Sequence, residues 1–249
     1  MIAMYRIERF DTVVSTNELV KHGIEMGYDE GLVCRAAEQV GGYGRQGRTW
    51  ASPRGGLYQS ILLRPDVPAD RLPTLGLVVA LSVRRALLSA GALMSDDVRV
   101  KWPNDVVCDA GKISGISLES HAGGVCVGIG VNVWRPAAEN PMEGKNMPAY
   151  LAEIARNGLE REQDVQMVVD FVGDEVMDVF WRRYAQWQRE GFVPFVDEFN
   201  ACSALNGKHV DIADRNGRVV KSGIVTGVNA NGSLLIGDDS VSSGEAHIL

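Results

Sequence analysis

The 249-residue sequence has four cysteines and four histidines, and neither set clusters. Cys34, Cys108, Cys126 and Cys202 form no C-x-x-C pair and fall mostly in apolar runs. That pattern fits buried thiols in a reducing cytoplasm better than disulfides or a metal cluster. His22, His121, His209 and His247 are dispersed, so no transition-metal site built from protein side chains alone is expected. A basic excess is also missing: 25 Lys and Arg face 32 Asp and Glu, a formal net charge of −7. A polyanionic duplex needs a basic face, so nucleic acid is not an expected partner. No apolar run is read as membrane-spanning and the first residues lack the shape of a signal peptide, so no membrane partner is expected. Repeats, low-complexity segments and disordered linkers are absent from the pattern as well.

With 45% hydrophobic and 23% charged residues, the composition is that of an ordinary globular protein. Its most unusual stretch is QVGGYGRQGRTW, residues 39–50, continued by SPRGGL over 52–57. Apolar strand-like runs flank it on both sides. Gly41, Gly42, Gly44 and Gly47 let backbone N–H groups approach a ligand, and Arg45, Arg48 and Arg54 supply fixed planar charge. The combination suits a small anion. Gly42, Gly44 and Gly47 match the dinucleotide G-x-G-x-x-G spacing, but a strand rather than a helix follows. No Gly-Lys-Ser/Thr closes a phosphate loop either.

A strand over residues 5–10 leads to a helix start at Ser15, Thr16 and Asn17. Ser15 with Glu18 reads as a capping box, and Val14 with Leu19 as a hydrophobic staple. The same free helix N-terminus also suits a polar ligand, and the residues leave both readings open. Residues 75–90 form an apolar helix across a sheet. KWPND, residues 101–105, is an abrupt polar turn in apolar sequence, and Pro103 holds Trp102 extended. Lys101, Asn104 and Asp105 therefore look like site residues. An antiparallel meander follows over 112–119 and 125–133, headed by Lys112. Gly115, Gly128 and Gly130 interrupt its strands, marking either bulges or close approach of a backbone or ligand. Residues 134–148 read as a lid-like loop, 148–157 as a short helix, and 195–203 as another. Between these two helices, residues 165–190 form a long helix with Val168, Phe171, Val172, Val176, Val179 and Phe180 along its core side. Short strands separated by Asn-Gly turns after residue 205 indicate a small β-barrel.

Taken together, the Ser15–Thr16–Asn17 start, Gln39 with the glycine loop through Trp50, KWPND, KISGISLE over 112–119 and GIGVN over 128–132 resemble the biotin–protein ligase family. The resemblance implies an α+β catalytic domain over residues 1–204, with a mixed sheet backed by helices, and an SH3-like barrel over 205–249. The implied reaction joins biotin to ATP as biotinyl-5′-AMP, with Mg²⁺, and passes the biotinyl group to a lysine of a biotin carboxyl carrier domain. Relatives imply that Ser15, Thr16, Asn17 and Gln39 hold the biotin rings, with Gly42, Tyr43, Gly44, Arg45, Trp50, Lys112 and Gly115 along the biotinyl path. Arg45, Arg48, Lys101, Asn104, Lys112 and Asn132 are implied on the ATP or adenylate side. Lys112, Arg45, Lys101 and Asp105 are the implied catalytic set, with Asp105 receiving the proton of the incoming amine. No metal ligand set comes from the protein alone; Mg²⁺ would sit near Asn104 and Asp105. A monomer or homodimer is expected. Two departures accompany the likeness. Tyr43 stands where most relatives carry Arg, and the chain starts too close to its first strand for the winged-helix domain of bifunctional relatives. A lipoate or octanoate ligase of the same fold, and a non-catalytic biotin-binding regulator, are the alternatives.

Overall fold

The computed structural model describes residues 5–136, 147–156 and 165–249. A seven-stranded sheet runs in the order β1-β2-β3-β7-β6-β5-β4. The strands are β1 (Arg6–Val13), β2 (Leu32–Gln39), β3 (Gly56–Leu63), β4 (Arg99–Lys101), β5 (Asp105–Cys108), β6 (Gly111–His121) and β7 (Gly124–Asn132). β1 and β2 are parallel and joined by α1 (Thr16–Glu25); the other neighbours are antiparallel. Alternation along the strands separates two faces. On β7, Val125, Val127, Ile129 and Val131 enter the main core with α2 (Leu75–Ala90) and α4 (Val165–Glu190). Cys126 turns the other way and packs with Val20 and Ile24 of α1.

Helix α2 is buried on nearly every side. Each fully buried Val or Leu there contributes about 1.5–3 kcal/mol. Its two charges are the exposed Arg85 and the buried Arg84, which donates to Val98 O and Ser95 O. The stretch Ala69–Ala90 has the length and apolarity to cross a membrane, which corrects the sequence reading, yet it is mostly buried inside this fold. On α4 the core side is Val168, Val172, Val176, Met177, Phe180, Trp181, Tyr184 and Trp187. Phe171, expected in that stripe, is 51% exposed. Arg35 reaches from β2 to pin α4: it is 1% exposed and donates to Gln59, Asp170 and Asp174.

After α3 (Leu151–Ile154) and α5 (Val196–Ala201) come the C-terminal strands β8 (His209–Ala213), β9 (Val219–Val228), β10 (Leu234–Ile236), β11 (Asp239–Val241) and β12 (Glu245–Ile248). They form a five-stranded antiparallel sheet in the order β11-β10-β9-β8-β12. The early part of β9 pairs with β8 and its later part with β10, so one long strand serves two ladders, as small barrels require at a corner. This unit packs on the main sheet: the Trp102 indole N–H donates to Gly232 O at 3.0 Å, while the segment leading into it is tied to β4 by Val100 N donating to Cys202 O at 3.0 Å. The expected helix at 148–157 shrinks to α3, and Asn157 lies outside the described residues.

Candidate active site

Two cross-sheet rows form the floor of a cavity of about 750 Å³ on the α1 face. In the first row Ser117 pairs with Gly128, and Gly128 with Ser60. Asn17 lies over Gly128. Its Nδ2 donates to Ser117 Oγ at 3.2 Å and Glu119 Oε1 at 3.0 Å, while Ser60 Oγ donates to its Oδ1 at 2.6 Å. A Cβ on Gly128 would stand 2.4 Å from Asn17 Oδ1 and 2.5 Å from Ser117 Oγ. Thr16 continues the network, with its N–H 2.8 Å from Gln39 Oε1 and its hydroxyl 2.7 Å from that of Ser60. Gln39 Nε2 in turn donates to Ser52 Oγ at 2.9 Å.

The second row is Lys101–Asp105–Gly115–Gly130–Tyr58. Gly115 and Gly130 leave a slot that the Trp50 ring fills: Cβ atoms there would meet it at 3.0 and 2.7 Å. The glycine interruptions thus admit side chains, neither bulging nor opening to a backbone. The bulge lies elsewhere. Val106 pairs with Ser114 but Val107 with Lys112, so Ile113 is the extra residue. Without it Lys112 would point into the core; with it Lys112 shares the site face with Asp105. Lys112 Nζ sits 2.7 Å from Asp105 Oδ1 and 5.2 Å from the Trp50 ring centroid. The ion pair is off-axis, and Asp105 Oδ1 is buried without a directed hydrogen bond. Trp50 Nε1 is buried and unpartnered too.

Besides backbone bonds from Val40 and Gly41 to Val13 and Val14, three side chains moor the glycine loop. Tyr43 donates its hydroxyl to Glu18 Oε1 at 2.6 Å. Arg45 Nη1 donates to Asn104 Oδ1 at 2.9 Å. Arg48 Nη2 pairs with Glu245 Oε2 of β12 at 2.6 Å. Between the last two, Gln46 takes a left-handed φ of 60° in a short 3-10 turn, a conformation that costs a non-glycine residue. Burial pulls the Arg45 guanidinium below its ordinary pKa, and Asp105 and Glu245 oppose that. Burial and Glu18 push the Tyr43 phenol up to about 12, so it stays a neutral donor. Arg48 holds the Glu245 carboxyl below its usual range.

Of the residues read from the sequence, Ser15, Thr16, Asn17, Gln39, Tyr43, Gly44, Arg45, Arg48, Trp50, Lys101, Asn104, Asp105, Lys112, Gly115 and Asn132 all line this one cavity. Gly42 does not; it lies behind the wall, where a Cβ would strike Ser52 Oγ at 2.4 Å. Ser15 caps α1 through the Asn17 N–H, but Glu18 does not close the capping box because Tyr43 and Lys21 claim its carboxylate. The staple fails likewise, with Val14 63% exposed. Asn132 spends its amide on Lys112 O at 3.1 Å, so it holds β6 as much as it faces the cavity. Asn104 Oδ1 is taken by Arg45, leaving Asp105 as the carboxylate of that turn. Among the described residues no cluster of three His, Cys, Asp or Glu side chains is placed to hold a metal. Tyr58, Trp134, Tyr150 and Glu245 line the cavity as well, beyond the set that the sequence motifs point to. The period-two alternation of β3 gave a signal for Tyr58; nothing local signals Glu245. Of the expected lid at 134–148, residues 137–146 lie outside the described residues.

Comparison with known proteins bears on the same region. The biotin/lipoate A/B protein ligase family matches residues 10–133. The biotin–[acetyl-CoA-carboxylase] ligase of Paracoccus denitrificans is 33% identical over 211 residues, covering 81% of this chain and 82% of that protein. The bifunctional ligase/repressor BirA of Bacillus spizizenii is 28% identical over 232 residues, covering 91% of this chain and 67% of that protein. Among solved structures, the biotin protein ligase of Aquifex aeolicus in complex with biotin and ATP superposes with a TM-score of 0.79 at 29% identity, covering 98% of each chain.

Proposed function

From the premise that the chain belongs to the biotin/lipoate A/B protein ligase family, among its biotin protein ligases, we propose that this ATP-dependent biotin ligase works in two half-reactions at the cavity described above. In the first, a biotin carboxylate oxygen attacks the α-phosphorus of ATP, forming biotinyl-5′-AMP and releasing pyrophosphate. In the second, the amine of a carrier-domain lysine attacks the biotinyl carbonyl carbon and AMP leaves. The proposed carrier is a biotin carboxyl carrier domain of a carboxylase, in keeping with the acetyl-CoA carboxylase in the name of the Paracoccus relative.

The placement of Lys112 carries this reading. Gathering a carboxylate and a triphosphate needs cations whose positions are set before the charge arrives. The Ile113 bulge sets Lys112, the Asn104 amide sets Arg45, and Glu245 sets Arg48. In the proposed sequence the rings of biotin lie at the Asn17 end, against Ser15, Thr16 and Gln39. The carboxylate then points along Trp50 towards Lys112. Phosphate oxygens drawing Lys112 away would release Asp105, which then accepts the proton of the attacking amine. Asp105 would also lend a single carboxylate to the Mg²⁺ accompanying ATP, whose charge offsets that of the phosphates. Tyr58, Trp134 and Tyr150 offer apolar area to the adenine end of the same cavity.

Biotin-dependent exchange of labelled pyrophosphate into ATP tests the first half-reaction, with lipoate and octanoate assayed beside it. Exchange with biotin alone is expected. Exchange driven by lipoate or octanoate and not by biotin would reject the proposal.

A further inference from the structure

Lys21 belongs to no motif, does not line the main cavity, and is nevertheless the centre of a charged cluster beside it. Its side chain is 19% exposed, with Nζ 2.6 Å from Glu18 Oε1 and 3.5 Å from Glu119 Oε2. It also sits 5.4 Å from the centroid of the Tyr43 ring. Each carboxylate carries a second obligation. Glu18 accepts the Tyr43 hydroxyl from the glycine loop, and Glu119 accepts Asn17 Nδ2 from the cavity floor. One ammonium therefore joins the wall of the cavity to its floor across α1, β6 and the loop. Burial opposes the Lys21 charge, and Glu18, Tyr43 and Glu119 outweigh it, holding the ammonium above its ordinary range.

We propose that Lys21 is a positioning residue for biotin: it holds Tyr43 and Asn17 at a fixed separation, and so sets how tightly the ring end of the cavity keeps its ligand. The inference rests on the placement of the biotin rings at the Asn17 end. Without the ammonium, Glu18 and Glu119 face each other uncompensated. Their repulsion then moves α1 and the Asn17 amide relative to β6, and the Tyr43 ring loses the cation beneath it. Lys112 lies towards the opposite end of β6 from Glu119 and is held by Asp105, and Arg45 is held by Asn104, so the chemistry of bound substrate is unaffected.

Lys21→Met keeps the length of the stem and removes the charge. Biotin affinity by equilibrium binding should fall about tenfold or more, the scale of one charge-assisted contact, with the loss in the dissociation rate. The turnover number at saturating biotin should stay within about twofold of the parent, which a general weakening of the fold would not produce. Amide hydrogen exchange at residues 41–44 should quicken, and Lys21→Arg should restore most of the affinity. Should Lys21→Met not fold, Glu119→Gln, which keeps the acceptor for Asn17 but not the charge, should show a smaller loss of the same kind. Unchanged biotin affinity in the folded variant would overturn the proposal, as would a fall in turnover with affinity intact. Failure of the parent protein to bind biotin would instead overturn the placement of the rings, so the two failures are distinct.

Discussion

At one end of the cavity Asn17 lies over Gly128 with Ser60 and Ser117 bonded on either side; at the other, Trp50 lies over Gly115 and Gly130 with its indole nitrogen buried and unbonded. Both ends use the same device, glycines in adjacent strands that admit a side chain onto the sheet. Their polar balance differs. The Asn17 end is neutral where it meets the cavity, and its hydroxyls and amides are tied to one another. The Lys112 end holds a lysine off-axis on Asp105 and an arginine on a neutral amide, pairings that a more negative partner can displace. A neutral ring system asks for fixed hydrogen-bond geometry, whereas a carboxylate and phosphates ask for cations that are close but not committed. The comparison predicts that damage at the cationic end cuts rate and adenylate retention, and damage at the Asn17 end cuts biotin affinity.

The largest effect should follow loss of Lys112. Lys112→Ala removes the one ammonium that the β6 bulge brings to the site face, and adenylate formation should fall by roughly two orders of magnitude or more in single-turnover assays. Lys112→Arg should recover little, since a planar fork cannot replace a compact ammonium between Asp105 and Trp50. Near-parental adenylation by Lys112→Ala would erase the distinction between the two ends.

Arg45→Gly should act next most strongly, and on holding the adenylate more than on making it. The Arg45 guanidinium rests on the neutral amide of Asn104. On the proposed pathway it turns to the adenylate, and its loss removes one charged hydrogen bond to that ligand, worth about 1.5–3 kcal/mol or roughly ten- to a hundredfold in adenylate affinity. The variant should release biotinyl-AMP and label lysines of added albumin. Equal losses of synthesis and retention, with no such labelling, would place Arg45 in the chemistry itself.

Gly128→Ala probes the other end. A methyl group there collides with Asn17 Oδ1 and Ser117 Oγ, and the floor behind it is strand backbone that cannot retreat. Biotin affinity should drop about tenfold, the value of one or two misplaced hydrogen bonds, while turnover at saturating biotin changes little. Calorimetric titration with biotin and a kcat against KM comparison check this. A selective fall in kcat would contradict the assignment of ends.

Much of this site is legible in the sequence because its residues sit in contiguous motifs. The glycine loop, KWPND and the meander each bring two or more site residues together within a few positions. Three things escape such reading. Lys112 is visible as a residue, but its facing depends on Ile113 being skipped by β5, and strand periodicity alone turns Lys112 towards the core. Glu18 looks like a capping partner because sequence spacing cannot reveal Tyr43 and Lys21 competing for it. Glu245 lies some two hundred positions from Arg48, and only the packing of the C-terminal sheet onto the main one makes them neighbours. Local spacing reports what a segment can do. It is silent on which distant segment arrives to take up the same atom.

The smallest expected effect concerns that last contact. Arg48 and Glu245 are 58% and 30% exposed, so their ion pair is worth about 1 kcal/mol or less in water. Glu245→Gln should therefore leave the fold intact and raise the KM for ATP only about two- to threefold. Because Arg48 holds the Glu245 carboxyl below its usual range, the sign of the pH effect is fixed. The pair stabilises the folded protein above the ordinary carboxylate range, and the contribution is lost as pH falls through the lowered folded value. Parent and variant should differ in thermal stability at neutral pH and converge in acid. The difference should shrink in about 1 M salt, where screening acts within roughly 3 Å. If Glu245→Gln instead cost as much as Lys112→Ala, the C-terminal sheet would be part of the cationic end rather than a brace for it. The line between the two regions would then have to be redrawn to include β12.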